Sequence, residues 1–174
     1  MKIGESIGRE VAFIINGREE KVFCRPGETL LEVLRNRLDH TEVKEGCGQG
    51  DCGVCTVLLN GRPVDACLVL AYKAEGREIT TVKGLGTRTS LHPLQEQFLE
   101  KGAVQCGFCT PGMLLSAKAL LDRKPHPTIE EIKRSLSGNL CRCTGYTKIV
   151  EAVAAAAGSV PLGGEDRVEK ARGE

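Results

Sequence analysis

The sequence predicts an α+β fold, in which a small mixed sheet with one helix precedes a bundle of four helices. Two Asn-Gly pairs, Asn16-Gly17 and Asn60-Gly61, follow apolar runs and are typical of β-hairpins. Helical spacing of apolar residues is found once before residue 84 and four times after it. Each half would have only about 80 residues, which is marginal for an apolar core. The nine cysteines therefore suggest that bound metal stabilises the halves.

The first half, residues 1–84, is predicted to form the sheet and its helix. Strands are predicted at residues 11–16, 20–24, 55–60, 62–70 and 78–82. The chain breaks at Pro26-Gly27, and residues 29–38 then carry apolar side chains at positions 30, 31, 34 and 38. That spacing predicts one helix packed on the sheet.

The second half, residues 85–158, is predicted to be helical, with the junction at residues 83–89. Helices are predicted at residues 90–101, 110–122, 128–136 and 147–157. Thr110-Pro111 is a typical helix start, and Thr128 with Glu131 has the spacing of a capping box. Residues 159–174 are charged and rich in glycine, and we expect them to be a mobile tail.

Charge and composition exclude several classes of function. Lys and Arg number 24 against 23 Asp and Glu, so the chain lacks the basic field that binds nucleic acid. No stretch approaches the roughly 18 apolar residues of a membrane span. The first ten residues have no apolar segment of a secretory signal, so we expect a cytoplasmic protein with reduced thiols. Disulfides are thereby disfavoured, and metal binding is favoured.

Eight of the nine cysteines fall into two sets of four. The first set is Cys47-x4-Cys52-x2-Cys55, with Cys67 after 11 more residues, which is the spacing of plant-type [2Fe–2S] ferredoxins. Glycines between these cysteines suit a loop that wraps a cluster closely and aims its N–H groups at sulfur. A zinc knot is the alternative reading of this set.

The second set is Cys106-x2-Cys109 and, 31 residues later, Cys141-x-Cys143. Each pair precedes a predicted helix start, so two positive helix ends would face one anionic centre. Iron–sulfur chemistry is favoured here as well, and zinc is again the alternative. The ninth cysteine, Cys24, is predicted to be a small, half-buried core residue.

Three segments resemble one family: GCGQGDCGVCTV (46–57), GAVQCGFCTPGM (102–113) and GNLCRCTGY (138–146). They are similar to the small iron–sulfur subunit of the molybdenum hydroxylases, the xanthine dehydrogenase and xanthine oxidase family. The resemblance covers roughly residues 10–157. It implies an N-terminal β-grasp ferredoxin domain and a C-terminal four-helix [2Fe–2S] domain.

The resemblance also implies roles for individual residues. The first set would hold the cluster nearer FAD, and the second set the cluster nearer molybdenum. Gln105 would contact the pterin of the molybdenum cofactor, and Cys143 would lie against the pterin amino group. Arg142 could place positive charge beside the bundle cluster or form an ion pair with a partner subunit.

The implied function is electron transfer from a molybdopterin centre on a large subunit, through both clusters, to FAD on a medium subunit. An (αβγ)2 assembly is expected, with a purine or another N-heterocycle as substrate. No substrate-converting site is expected on this chain, and His40, His92 and His126 are interpreted as surface or capping residues. The alternatives are a free two-cluster shuttle, a subunit of a carbon monoxide or aldehyde dehydrogenase, and a zinc scaffold.

Overall fold

The computed structural model describes residues 7–158. The tail predicted at residues 159–174 lies outside the described residues. Within residues 7–158, no helix combines the length and the apolar character needed to cross a bilayer.

The first half is built on one five-stranded sheet with the order β2-β1-β5-β3-β4. Its strands are β1 (Arg9–Ile15), β2 (Arg18–Cys24), β3 (Thr56–Leu59), β4 (Arg62–Asp65) and β5 (Glu78–Thr80). β1 and β5 are parallel, and the other pairs are antiparallel. Both Asn-Gly pairs make the predicted hairpin turns, because Asn16 and Asn60 have φ values of 51° and 49° and the following glycines 79° and 75°.

Helix α1 (Leu30–Asn36) packs on this sheet. It begins at a capping box in which the Thr29 hydroxyl accepts from the Glu32 N–H and the Glu32 carboxylate accepts from the Thr29 N–H. Phe13 and Leu34 are fully buried in the core between helix and sheet. Cys24 belongs to the same core and is completely buried, so the prediction of half-burial was wrong. The last residue of β2 points into the core, and its pKa is raised by burial.

The segment predicted to return along the sheet, residues 62–70, forms a shorter strand. β4 ends at Asp65, and a 3-10 helix follows at Ala66–Leu68. The Ala66 N–H donates to the Cys55 carbonyl oxygen at 3.4 Å, which brings the next residue, Cys67, beside the cysteine loop. The tight turn is compatible with the small, buried Ala66.

The second half is the predicted bundle of four helices. They are α2 (Pro93–Glu100), α3 (Thr110–Arg123), α4 (Ile129–Leu136) and α5 (Thr147–Ala156). The capping box of Thr128 and Glu131 forms as predicted, and His92 caps α2. Phe98, Met113 and Ile149 fill the bundle core. Against the sheet, α3 packs Leu115 and Ala119 on Leu58 of β3, so the bundle rests on the strand that follows the first cysteine loop.

Candidate metal centres

The first cysteine set lies on the loop between α1 and β3 and at the end of the β3–β4 hairpin. Cys47, Cys52 and Cys55 belong to the loop, and Cys67 belongs to the 3-10 helix after β4. The Cys52 thiol is close enough to help lower the pKa of Cys47, and the Cys67 thiol is close enough to affect the pKa of Cys55, which is raised mainly by burial. The four sulfurs are therefore arranged as two pairs.

Backbone N–H groups surround the outer pair of the first set. Gln49 and Asp51 donate their N–H groups to Cys47 Sγ at 3.5 and 3.3 Å, and Cys47 N–H donates to Cys52 Sγ at 3.4 Å. The bond from Gln49, helped by the others, lowers the pKa of Cys47 to about 7. The loop therefore stabilises negative charge on sulfur, as a thiolate ligand requires.

The inner pair of the first set is buried. Cys55 and Cys67 are 2% and 6% exposed, and burial raises the pKa of Cys55 to about 12. The Asp65 carboxylate lies 3.9 Å from Cys55 Sγ, and burial raises its pKa too. These groups favour their neutral forms without a cation, so metal binding here must release protons.

The second cysteine set is assembled from two loops of the bundle. Cys106 and Cys109 precede α3, whereas Cys141 and Cys143 lie between α4 and α5. Cys106 Sγ and Cys143 Sγ are 3.6 Å apart, and the Cys141 thiol is close enough to Cys109 to add to the rise that burial causes in the pKa of Cys109. Each pair thus joins one cysteine from each loop. Burial raises the pKa of Cys109 to about 12.

The segment 144–146 replaces the second helix end that was expected next to the cysteines. Since α5 begins at Thr147, three residues separate its start from Cys143. Thr144 donates its hydroxyl to Cys141 Sγ at 3.1 Å and its N–H to the same sulfur at 3.4 Å. Burial alone would raise the pKa of Cys141, but these bonds lower it to about 7. The Tyr146 hydroxyl accepts from the Cys141 N–H at 2.9 Å.

One sulfur pair has the spacing that two thiolate ligands of the same metal require. Two thiolates on one tetrahedral metal, each about 2.3 Å from it, lie about 3.8 Å apart. The pair of Cys106 and Cys143, at 3.6 Å, matches that distance. A [2Fe–2S] cluster takes two thiolates on each iron, so the four cysteines of each set supply the number of ligands that one cluster needs.

One pair of the second set lies on the surface. Cys106 and Cys143 are exposed, and so are Gln105, Phe108 and Arg142 around them. The predicted pterin-facing residues, Gln105 and Cys143, are therefore both exposed next to Cys106, whereas Cys109 is buried and Cys141 is partly buried.

Two contributors to the site were missed in the sequence. Thr144 had a detectable signal, because a hydroxyl residue three positions after a ligand cysteine, here Cys141, can donate to the sulfur of that cysteine. Asn139 had none, because its burial depends on contacts from both halves of the chain. It is 4% exposed and lies between the loops of the two sets. Beside it, the Leu140 N–H donates to the Cys52 carbonyl oxygen at 2.9 Å.

Comparisons with known proteins agree with this geometry. Residues 13–85 match the family described as 2Fe-2S iron-sulfur cluster binding domain. Residues 81–154 match the family described as [2Fe-2S] binding domain. Each match contains one complete cysteine set.

Individual relatives share most of the chain. It is 52% identical over 139 residues to the nicotinate dehydrogenase small FeS subunit of Eubacterium barkeri, covering 80% of this chain and 88% of the relative. It is 50% identical over 151 residues to the nicotine 6-hydroxylase small subunit of Paenarthrobacter nicotinovorans, covering 87% and 91%. A chain of quinoline 2-oxidoreductase from Pseudomonas putida 86 superposes with a TM-score of 0.84 at 42% identity, covering 88% and 96%. The chain therefore belongs to the family of small iron–sulfur subunits of the molybdenum hydroxylases, which transfer electrons within multi-subunit oxidoreductases.

Proposed function

We propose that the eight paired cysteines hold two [2Fe–2S] clusters, one in each set. The ligands are Cys47, Cys52, Cys55 and Cys67 for one cluster, and Cys106, Cys109, Cys141 and Cys143 for the other. Two observations carry this proposal: Cys106 Sγ and Cys143 Sγ, from two separate loops, lie 3.6 Å apart, and N–H or hydroxyl groups donate to the sulfurs of Cys47, Cys52 and Cys141. Each cluster, when bound, accepts and returns one electron. The chain supplies the thiolates and the N–H and hydroxyl donors that stabilise negative charge on them.

The exposed face around Cys106 is proposed to dock the large, molybdopterin-bearing subunit. Gln105 offers an amide donor and an acceptor to the pterin, and Cys143 lies beside it as the outermost ligand. The exposure of both residues supports this assignment. Docking would bury Phe108, which is 47% exposed.

The first set is proposed to pass electrons to FAD on a medium subunit. Electrons would then pass from the cluster in the bundle to the cluster beside the sheet. The two clusters would thus lie in separate domains, residues 85–158 and residues 1–84. The hydrogen bond between Leu140 and Cys52 supports transfer between the sets, because it links a neighbour of ligand Cys141 to a ligand of the other set.

A complex of large, medium and small subunits, present twice as (αβγ)2, completes the proposal. It is placed in the cytoplasm, where reducing conditions keep the nine free cysteines as thiols before metal is loaded. The reaction of the substrate is assigned to the large subunit, and we expect no acid, base or nucleophile for it on this chain.

The substrate is proposed to be an N-heteroaromatic ring. The names of three relatives support this class, since nicotinate, nicotine and quinoline each contain such a ring. Since the substrate is expected to bind to the large subunit, this part of the proposal concerns that subunit.

The order of transfer can be tested in the native complex with Cys106→Ser. Substrate added without oxygen should reduce both clusters of the wild type, as followed by EPR. In the variant, substrate should leave the cluster of the first set oxidised, whereas dithionite should still reduce it. Reduction of the first cluster by substrate in the variant would contradict the order.

The substrate class is tested by adding nicotinate, quinoline, xanthine or an aliphatic aldehyde to the wild-type complex in parallel. Reduction of the clusters by the aldehyde alone would overturn the proposed class.

A further inference from the structure

Buried polar side chains of the described residues are concentrated between the two cysteine sets. Four such side chains are nine-tenths or more buried, and three of them, Thr56, Ser116 and Asn139, meet at one place; the fourth is Thr81. We call these three residues, together with Gly53, the Asn139 junction. Burying a polar side chain costs free energy unless the side chain is hydrogen-bonded, so each of these residues is expected to have hydrogen-bond partners.

Both the nitrogen and the oxygen of the Asn139 side-chain amide form hydrogen bonds. Its Nδ2 donates to the Gly53 carbonyl oxygen at 2.8 Å and to Thr56 Oγ1 at 3.2 Å, and its Oδ1 accepts from Ser116 Oγ at 2.6 Å. Thr56 in turn donates its hydroxyl to the Gly53 carbonyl oxygen at 2.7 Å. Gly53 lies between Cys52 and Cys55, so one amide ties the loop of the first set to α3 and to the segment that carries Cys141.

Neighbouring atoms leave no room for a side chain at Gly53 or at Gly112. A Cβ on Gly53 would lie 2.7 Å from Asn139 Nδ2 and would collide with the Gly138 carbonyl oxygen. A Cβ on Gly112 of α3 would lie 2.9 Å from the same Nδ2 and would collide with the Gly53 carbonyl oxygen. Gly53 also has φ of 65°, which disfavours other residues. The loops are therefore held by direct backbone contact, with the Asn139 amide between them.

A second contact lies one residue further along. The Leu140 N–H donates to the Cys52 carbonyl oxygen at 2.9 Å. Asn139 and Leu140 thus fix the segment before Cys141 at two adjacent points on the first cysteine loop. Small displacements of such supporting groups are known to degrade the function of a site.

We propose that Asn139 is a positioning residue that sets the distance and orientation between the two cluster-binding loops, and thereby the rate of electron transfer between them. This inference rests on the proposed function, in which each loop holds a cluster. The transfer moves one electron from the bundle cluster, which is oxidised, to the cluster of the first set, which is reduced. No bond forms or breaks, and no proton is needed.

The test uses Asn139→Ala in the native complex with both clusters reduced by dithionite. Two nearby paramagnetic clusters interact magnetically, and the interaction depends on their separation and orientation. The variant should keep the iron and sulfide content of the wild type but show a changed EPR splitting and slower transfer between clusters after rapid reduction. Ser137→Ala, which removes an exposed hydroxyl two residues away, should change neither.

Ser116→Ala keeps the proposal testable if Asn139→Ala loses iron. It removes one bond to Oδ1 and leaves both Nδ2 donors in place, so it should change the splitting in the same direction and by less. If Asn139→Ala keeps its iron but shows unchanged EPR splitting and an unchanged transfer rate, the proposal is overturned and Asn139 is a purely structural contact. If Asn139→Ala loses iron, the same unchanged result in Ser116→Ala overturns the proposal. A wild type without two cluster signals would instead overturn the proposed function.

Discussion

The two cysteine sets differ in how the chain brings their ligands together. Three cysteines of the first set lie within nine consecutive residues, and backbone N–H groups of the same loop surround their outer pair. In the second set, each pair of thiols combines two loops that are 31 residues apart, and the side chain of Thr144 supplies a donor. The first site is therefore largely a local property of one loop, whereas the second depends on the packing of the bundle.

The largest expected effect comes from removing one ligand of the second set. Cys106→Ser should abolish the bundle cluster, so that iron falls from about four to about two per chain while the signal of the first set persists. The physical reason is that the first loop has its own ligands and donors. Iron analysis and EPR of the purified variant measure this. Loss of both signals would show that the first site also depends on the bundle.

Gly53→Ala should damage the contact between the two sites. A Cβ there meets Asn139 and the Gly138 carbonyl oxygen, whereas a Cβ on Gly61, with φ of 75°, meets nothing within 4 Å. Gly53→Ala should therefore lower the free energy of unfolding by about 1–3 kcal/mol more than Gly61→Ala does. Urea unfolding of both variants tests this, and equal losses would mean that the junction tolerates a side chain.

Thr144→Val should lower the reduction potential of the bundle cluster alone. In the wild type, the Thr144 hydroxyl donates to a ligand sulfur and stabilises the more negative, reduced state of the cluster. Losing a hydrogen bond worth about 1 kcal/mol should lower the potential by roughly 40 mV for one electron. Redox titration followed by EPR measures both clusters in one sample. Thr144→Ser, which keeps the donor, should retain the wild-type potential. A shift of the other cluster by the same amount would point to a general structural change.

Acid should weaken the first half through Glu42. Burial alone would raise the pKa of Glu42, but hydrogen bonds from Lys83, His40 and Thr81 lower it to about 2. Because the folded pKa is lowered, the carboxylate contributes stability above about pH 4.5, and this contribution is lost as the pH falls toward 2. The stability cost of Glu42→Gln, measured in urea, should be constant from about pH 8 to about pH 5 and should begin to shrink below about pH 5.

A matched variant in the bundle sharpens this pH experiment. The pKa of Glu131 is also lowered to about 2, by hydrogen bonds from Lys124 and the Thr128 backbone. Its surroundings are solvated, so screening should make its contribution smaller than that of Glu42. Glu131→Gln should therefore cost less stability than Glu42→Gln at pH 7, and the reverse order would contradict the comparison.

The smallest effect on the clusters is expected from Cys24→Ser. Cys24 is buried in the core of the first half, and its Sγ contacts only the Val22 carbonyl oxygen at 3.8 Å among the hydrogen-bond partners in the described residues. The variant should keep the full iron content and both EPR signals. An iron content reduced by half would make Cys24 a ligand.

Features that depend on neighbouring residues could be predicted from the sequence. The Asn-Gly turns, the capping box at Thr128 and the spacing of the first cysteine set all act within a few residues, and the hairpins and helices form where they were expected. The 3-10 helix that carries Cys67 was missed. β4 ends at Asp65 because the next residue bonds to the cysteine loop, and this contact is not visible in the local sequence.

Long-range features could not be predicted in this way. The pairing of Cys109 with Cys141, the parallel pairing of β1 with β5 and the burial of Asn139 each join residues that are far apart in sequence. Asn139 in particular follows the end of α4, where an asparagine is ordinarily an exposed loop residue. Only contact with Gly53, 86 residues away, makes it a buried link between the two sites.

Metal and sulfide analysis of the natively purified protein tests the central claim most directly. Two [2Fe–2S] clusters require about four iron and about four acid-labile sulfide per chain, and a red-brown protein with two distinct EPR signals after reduction. A colourless protein with about two zinc and no sulfide per chain would contradict the assignment of both cysteine sets.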